Sequence, residues 1–440
     1  MAPPSSPTLR QRRPQLTLAA AVAATLPGLA VRAGGLSAHG PVVRAGLYGM
    51  AIVGASLLLT WGAEVAQLDL SPGVAIAGLA LVAVLPEYVV SATFAWRGGH
   101  EVSTYGTTCQ SPAALAAGHA SPCSLALANM LGANRILIGI GWSLVVLVAW
   151  RRTRTRRGKL LRGVVLGREH SVELAFLALA SLWCLSLPFR HSVGLVDTCV
   201  LFAVFAGYGA RLLQATPEEP ELEGVAAWLG GLPTSRRRAA TVALMVAAAA
   251  VIFACANAFA DALVASGSVL GVDEFFLIQW VAPLASEAPE LIIASIYAWR
   301  LRAAVGLGAL VSSKVNQWTL LVGSLPIAFA LGSWSLQGLP LGPVQRQELL
   351  LTAAQSVFGV AVLGNLEVST AEAIALFVMF ATEFVLGVVL PSGARGAVRI
   401  GFAVAYLAAA AVILSVKRRD TVALVEDGFR TPYHHLGESR

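Results

Sequence analysis

The chain predicts an all-α polytopic membrane protein of about 12 transmembrane helices, arranged as two inverted five-helix repeats with an extra helix at each terminus. Three observations carry that prediction. Hydrophobic residues fill 57% of the 440 positions and charged residues 12%, with a mean hydropathy of +0.72. Long apolar runs alternate with short breaks rich in arginine. One segment occurs twice: Pro86-Glu87-Tyr88-Val89-Val90-Ser91-Ala92-Thr93-Phe94-Ala95-Trp96-Arg97 returns as Pro289-Glu290-Leu291-Ile292-Ile293-Ala294-Ser295-Ile296-Tyr297-Ala298-Trp299-Arg300.

Lipid offers no partner to a free backbone amide, so each apolar run is expected to span as a helix. The runs lie at about 16–33, 44–67, 73–97, 123–150, 170–188, 191–213, 239–266, 273–300, 303–331, 346–364, 369–391 and 396–416. Each is near the ~20 residues that a bilayer requires. Turn residues such as Ser71-Pro72-Gly73 and Gly338-Leu339-Pro340 punctuate the breaks. On this reading 1–43 is a cytoplasmic N-terminus with an extra helix, 44–213 the first repeat and 214–238 a cytoplasmic linker. Residues 239–391 form the second repeat, and 392–440 an extra helix with a cytoplasmic tail. Arg10, Arg12 and Arg13 ahead of the first run imitate a signal peptide. Without a small-residue cleavage site, that run reads as a retained helix.

Loop charge sets the orientation. Residues 151–168, opening Arg151-Arg152-Thr153-Arg154, form the most basic break and are expected in the cytoplasm. Arg236-Arg237-Arg238, Arg300-Leu301-Arg302 and Lys417-Arg418-Arg419 fall on the same side, which places both termini there. The arginine- and alanine-rich usage suits a prokaryotic cell (inner) membrane. A net charge of +7 would suit nucleic acid, but the basic residues sit in short loops rather than on one face, so no nucleic-acid partner is expected. The five cysteines include no CxxC pair and give no zinc or redox motif. Cys109 and Cys123 fall in or beside an outer loop, where a disulfide and two unrelated thiols are equally compatible with the sequence. The acidic-then-basic stretch 214–238 reads as a solvated tether.

A carboxylate at mid-membrane costs at least ~3 kcal/mol and by default marks an ion or substrate path. Glu87 and Glu290 are therefore read as two halves of one site at the repeat interface. An odd number of helices per half forces the repeats to insert with opposite orientation. A second matching piece follows each Pro-Glu segment: Asn129-Met130-Leu131-Gly132-Ala133-Asn134-Arg135 in the first half, Val311-Ser312-Ser313-Lys314-Val315-Asn316-Gln317-Trp318-Thr319 in the second. Asn134 and Asn316 align, and the repeat symmetry favours a role at the site over a plain interhelical hydrogen bond. Lys314 is the only one of three lysines outside a basic segment. In an unbroken helix it points about 160° from Asn316, since each residue turns ~100°. It serves either as a fixed counter-charge of the site or as a lysine that snorkels or pairs with a remote acid. Glu64 and Asp261 precede the Pro-Glu helices and suit an ion path or a satisfied interfacial acid. Glu372 and Glu383 share a helix face and suit gating or packing against arginine or backbone partners. Arg97, Arg300, Trp96 and Trp299 read as interfacial anchors.

With those residues in place, the chain resembles the sodium/calcium exchanger family. Gly62-Ala63-Glu64, the helix ending in Pro86-Glu87, and Asn129 to Asn134 are similar to the family's first alpha repeat. Asn257-Ala258 through Asp261, Gly271-Val272-Asp273-Glu274-Phe275, Ser286-Glu287-Ala288-Pro289-Glu290 and Asn316 are similar to the second. The resemblance implies ten core helices in two inverted repeats, with Glu87 and Glu290 as the central ligands of Ca²⁺ or Na⁺ and Ser286 as a supporting hydroxyl. It also has departures. The family's Gly-Thr-Ser before the first Pro-Glu is Val82-Ala83-Val84, and its Gly-Ser-Asn is Gly132-Ala133-Asn134 and Lys314-Val315-Asn316. Where the family has a further Asn or Asp, this chain has Leu137 and Thr319; Glu287 is a gain, on the same helical face as Glu290.

Charge sharpens the expectation. Glu87, Glu287 and Glu290 bring three negative charges and Lys314 one positive. Packed in low dielectric, three carboxylates stay ionised only against cations or protons. A Ca²⁺ takes about six to eight oxygens. Three carboxylates supply at most about six, and Ser286, Asn316, Thr319, carbonyls or water complete the shell. The expected function is secondary active cation antiport by alternating access, with the transported ions Ca²⁺, Na⁺ or H⁺ and no cofactor. The alternatives are a monovalent cation (Na⁺)/proton antiporter with Lys314 as counter-charge, and a membrane scaffold that transports nothing. No HExxH, nucleophile elbow or phosphate-binding glycine loop suggests an enzyme.

Overall fold

The computed structural model describes residues 9–34, 40–70, 85–106, 109–157, 161–215 and 222–436. Helices dominate them. The first half contains α1 (Leu9–Arg32), α2 (Pro41–Ala66), α3 (Leu85–Tyr105), the short α4 (Pro112–Ala116), α5 (Pro122–Ile136), α6 (Ser143–Arg157), α7 (Ser171–Ser186) and α8 (Leu195–Leu212). After the short α9 (Gly224–Gly230) come α10 (Thr234–Leu270), α11 (Glu274–Trp299), α12 (Ala303–Asn316), α13 (Val322–Ser333), α14 (Pro343–Val362), α15 (Thr370–Val389), α16 (Ser392–Val416) and α17 (Arg418–Phe429). A π turn at Leu137–Trp142 joins α5 to α6, and another at Gln317–Leu321 joins α12 to α13. Both halves therefore widen their helix at the same place, just past the aligned asparagines.

Among the described residues, 11 helices are long and apolar enough to cross a membrane, counting each π-joined pair as one. They coincide with the apolar runs of the sequence except at the third. That run begins within residues 71–84, outside the described residues, and continues into α3. The strands are short connectors: β1 (Gly163–Val165) pairs antiparallel with β4 (Glu367–Ser369), and β2 (Ser192–Val193) with β3 (Leu339–Pro340). Cys109 and Cys123 form a disulfide, with a Cα separation of 5.9 Å, which settles the pairing left open by their spacing.

The chain divides into two compact units, Met1–Val89 with Pro217–Asp273 and Val90–Thr216 with Glu274–Arg440. In the first unit α2 packs along α10 through small residues, as lipid-embedded helices do when side-chain bulk is removed. A Cβ on Gly62 would lie 2.7 Å from Met245 Cγ. Just past α2, Asp69 accepts hydrogen bonds from Arg237 at 2.8 and 2.9 Å and from Arg238 at 2.9 Å. The Arg237 hydrogen bond, aided by Arg238, holds the Asp69 carboxyl down at about 2.

The second unit packs α5 across α11, α14 along α7 and α16, and α17 over α7. Serine caps fix where helices start. Ser121 Oγ accepts from Ser124 N at 3.2 Å, and Ser369 exchanges hydrogen bonds with Glu372 across the first turn of α15.

Candidate cation site

In the second unit, α5 and α11 approach where a proline leaves a carbonyl bare. Pro283 has no N–H, so the Gln279 carbonyl four residues earlier lacks its helical donor. Gly132 lies directly on that oxygen; a Cβ there would stand 1.7 Å from it. Only glycine fits, and the contact sets the height of α5 against α11. Pro289 frees the Ala285 carbonyl in the same way, one residue before Ser286.

Lys314 then ties α12 to α5. Its Nζ donates to both the backbone oxygen and Oδ1 of Asn134, each at 2.7 Å, and lies 5.0 Å from the centroid of the Trp318 ring. Asn134 Nδ2 donates to Met130 O at 2.9 Å, which aims Oδ1 at the lysine. Both residues are fully buried. Lys314 is thus neither snorkelling nor paired with a remote acid.

The π turn after Asn316 re-aims the residues that follow it. From its first position Gln317 Nε2 donates to Glu287 Oε1 on α11. Glu287 is buried and Glu290, one turn on, is partly buried. Ser286 Oγ donates to Pro283 O at 3.2 Å, and Thr319 Oγ1 to Val315 O at 2.7 Å, so each hydroxyl keeps lone pairs free to accept. The Asn316 side-chain oxygen is buried with no hydrogen-bond partner, an acceptor awaiting a donor or a cation. Glu87, at the start of α3 and in the first unit, is 1% exposed. Among the described residues no three His, Cys, Asp or Glu side chains form a metal-holding group.

Sequence reasoning missed two features. Gln317 stood inside the quoted motif, but its reach to Glu287 depends on the π turn. The second is a buried charge network around Arg135. Arg135 Nη1 donates to Glu348 Oε2 of α14 at 2.8 Å, and Nη2 donates to Glu383 Oε2 of α15. Arg399 of α16 and Gln279 of α11 also donate to Glu348, and the guanidinium lies 4.7 Å from the Trp280 ring centroid. An arginine beside Asn134 in an apolar run was the available signal. Glu383 therefore packs against arginine, and Glu372 caps α15 and pairs with Lys417 Nζ at 2.8 Å. Asp261 is exposed and Glu64 half-buried. Trp96 and Trp299 are half-exposed, and Arg152 stacks over Trp299 at 4.4 Å, in keeping with anchors.

No curated protein matches the chain in sequence. The crystal structure of an H⁺/Ca²⁺ exchanger, CAX, superposes with a TM-score of 0.83 at 38% identity, covering 95% of this chain and 98% of that one. The Ca²⁺/H⁺ antiporter protein YfkE superposes with a TM-score of 0.59 at 14% identity, over 84% of this chain and 99% of that one, and shares the fold. The sodium/calcium exchanger protein family matches residues 40–213 and 240–416, one stretch per half. Those stretches carry both Pro-Glu segments and both asparagine helices, and the chain belongs to the sodium/calcium exchanger family, as a multi-pass membrane protein among the Ca²⁺/cation antiporters.

Proposed function

We propose that the chain exchanges Ca²⁺ for protons by alternating access between two inverted repeats, in a cell membrane with both termini cytoplasmic. The observation that carries this reading is the seating of Lys314. In this scheme the ammonium, fixed on Asn134, offsets one of the three carboxylates that the sequence assigns to the site, Glu87, Glu287 and Glu290. Two negative charges remain, which one Ca²⁺ or two protons neutralise equally well. Two Na⁺ would balance the same charges, and the printed description of the 38%-identical relative, an H⁺/Ca²⁺ exchanger, is what favours protons. In this scheme Glu290 and Glu87 are the metal ligands, and Glu287, Ser286, Asn316 and Thr319 add oxygens. Asn134 acts by holding Lys314.

Purified protein titrated with Ca²⁺ in buffers of different ionisation enthalpy tests this reading. Ca²⁺ binding is expected to release protons, and Glu290→Gln to lose both binding and exchange while remaining folded. Heat from Na⁺ but none from Ca²⁺ would transfer the reading to monovalent cation/proton antiport. That alternative draws on the engagement of the Asn134 oxygen by Lys314, which thins the shell for a divalent ion. Movement of no cation in sealed vesicles would leave the scaffold.

A further inference from the structure

A row of titratable groups that the cation site does not use leads to α7. Arg168–His170 forms a 3-10 turn ahead of that helix. Side-chain exposure falls along the row, from 42% at Glu169 to 20% at His170 and 8% at Glu173. His170 Nε2 is 4.0 Å from Glu169 Oε1, and its Nδ1 is 3.6 Å from Glu173 Oε1. From α12, Ser312 Oγ approaches the same Glu173 oxygen to 3.4 Å. The imidazole lies against Gly308 of α12, where a Cβ would stand 2.4 Å from its Cε1, so a glycine makes the room for the ring. Tyr208 of α8 faces Glu173 and Ser312. Arg168 is committed to Asp427 of α17 at 2.9 Å and leaves the row's acids alone.

Glu173 is not a finished structural ion pair. Its Oε2 is buried and has no hydrogen-bond partner, an arrangement that stability alone does not favour. Ser312 lies four residues before Asn316, on the same face of α12. The row thus runs from solvent to the helix face that carries a buried, unsatisfied asparagine of the cation site.

We propose that His170 and Glu173 carry protons between solvent and the Ser312–Asn316 face of α12 during exchange; the proposal rests on the proton coupling inferred above. The imidazole takes a proton from water on its Nε2 side and gives its Nδ1 proton to the Glu173 carboxylate. Glu173 passes that proton to Ser312 Oγ as the hydroxyl releases its own to a water molecule on the Asn316 side. One proton moves; Glu173 and Ser312 return to their starting forms, and the imidazole, left as its Nε2–H tautomer, is reset by proton exchange with water. The reverse sequence returns a proton from that face to solvent.

The test uses the full chain in sealed vesicles, with Ca²⁺ added outside and both Ca²⁺ and pH followed by dyes. Glu173→Gln keeps the side chain's shape and cannot carry the proton; Ca²⁺-driven proton flux is expected to fall on the order of 100-fold. Equilibrium Ca²⁺ affinity should stay as in the unaltered protein. His170→Gln should slow flux likewise and recover when imidazole is added to the medium, a rescue that a packing role does not give. Unchanged flux in Glu173→Gln overturns the relay and leaves Ca²⁺/H⁺ exchange standing. A joint loss of Ca²⁺ affinity and flux, without imidazole rescue, also overturns it. An unaltered protein that moves Ca²⁺ without protons overturns the relay and the exchange reading together.

Discussion

Lys314 has two oxygens of one asparagine for company and an indole face beneath it. Its charge is consequently held at a fixed place, and any cation nearby is repelled by it. At an effective dielectric near 20 and a separation of ~8 Å, a divalent ion feels about 4 kcal/mol of such repulsion. Lys314→Met is therefore expected to tighten Ca²⁺ binding by about ten-fold or more at alkaline pH, measured by calorimetry. An unaltered affinity would mean that the ammonium does not sense the transported ion. The carboxylates, the asparagines and Lys314 itself were legible as isolated polar groups in apolar runs. Their partners were not, because a donor's reach depends on helix rotation. Lys314 stands in the regular part of α12, ahead of the π turn, and it is α5 that the fold brings to it.

At the scale of helices, the apolar runs gave nearly every boundary, since a bilayer constrains length so tightly. The π turns had no counterpart in the pattern; a change of one residue per turn is invisible to hydropathy and arises from packing. Prolines and glycines were visible as letters, but the contact between them was not. Pro283 bares the Gln279 carbonyl and Gly132 fills the gap, so the two positions act as one feature on two helices. Gly132→Ala forces backbone apart at a point with no flexible neighbour to yield. Overpacking of this kind costs about 1–3 kcal/mol, expected as a lowered unfolding midpoint in detergent together with a slower exchange rate. A thermal shift near zero would show that α5 is free to slide on α11.

Across the whole molecule, the duplication shows in the smallest elements. β1 precedes α7 and β3 precedes α14, the equivalent helices of the two halves; β2 and β4 likewise precede α8 and α15. Exchanging the halves turns the β1–β4 pair into the β3–β2 pair, and both pairs exist. Strands of two or three residues leave no alternation to read, so this relation was hidden in the sequence although the Pro-Glu repeat was plain. Val164 and Val368 are paired in the β1–β4 register, at a spacing that suits a disulfide. With Cys199 replaced by serine, a Val164→Cys/Val368→Cys double variant is expected to oxidise without loss of exchange rate, because both strands belong to one compact unit. Inactivation on oxidation, reversed by reductant, would show that the strands must part in each cycle. The Arg135 network carries a different consequence. Arg135, Arg399, Glu348 and Glu383 sum to zero, so from a distance they cast almost no field. Two arginines and two glutamates, with Gln279, can thus staple five helices while remaining electrically silent to everything beyond them.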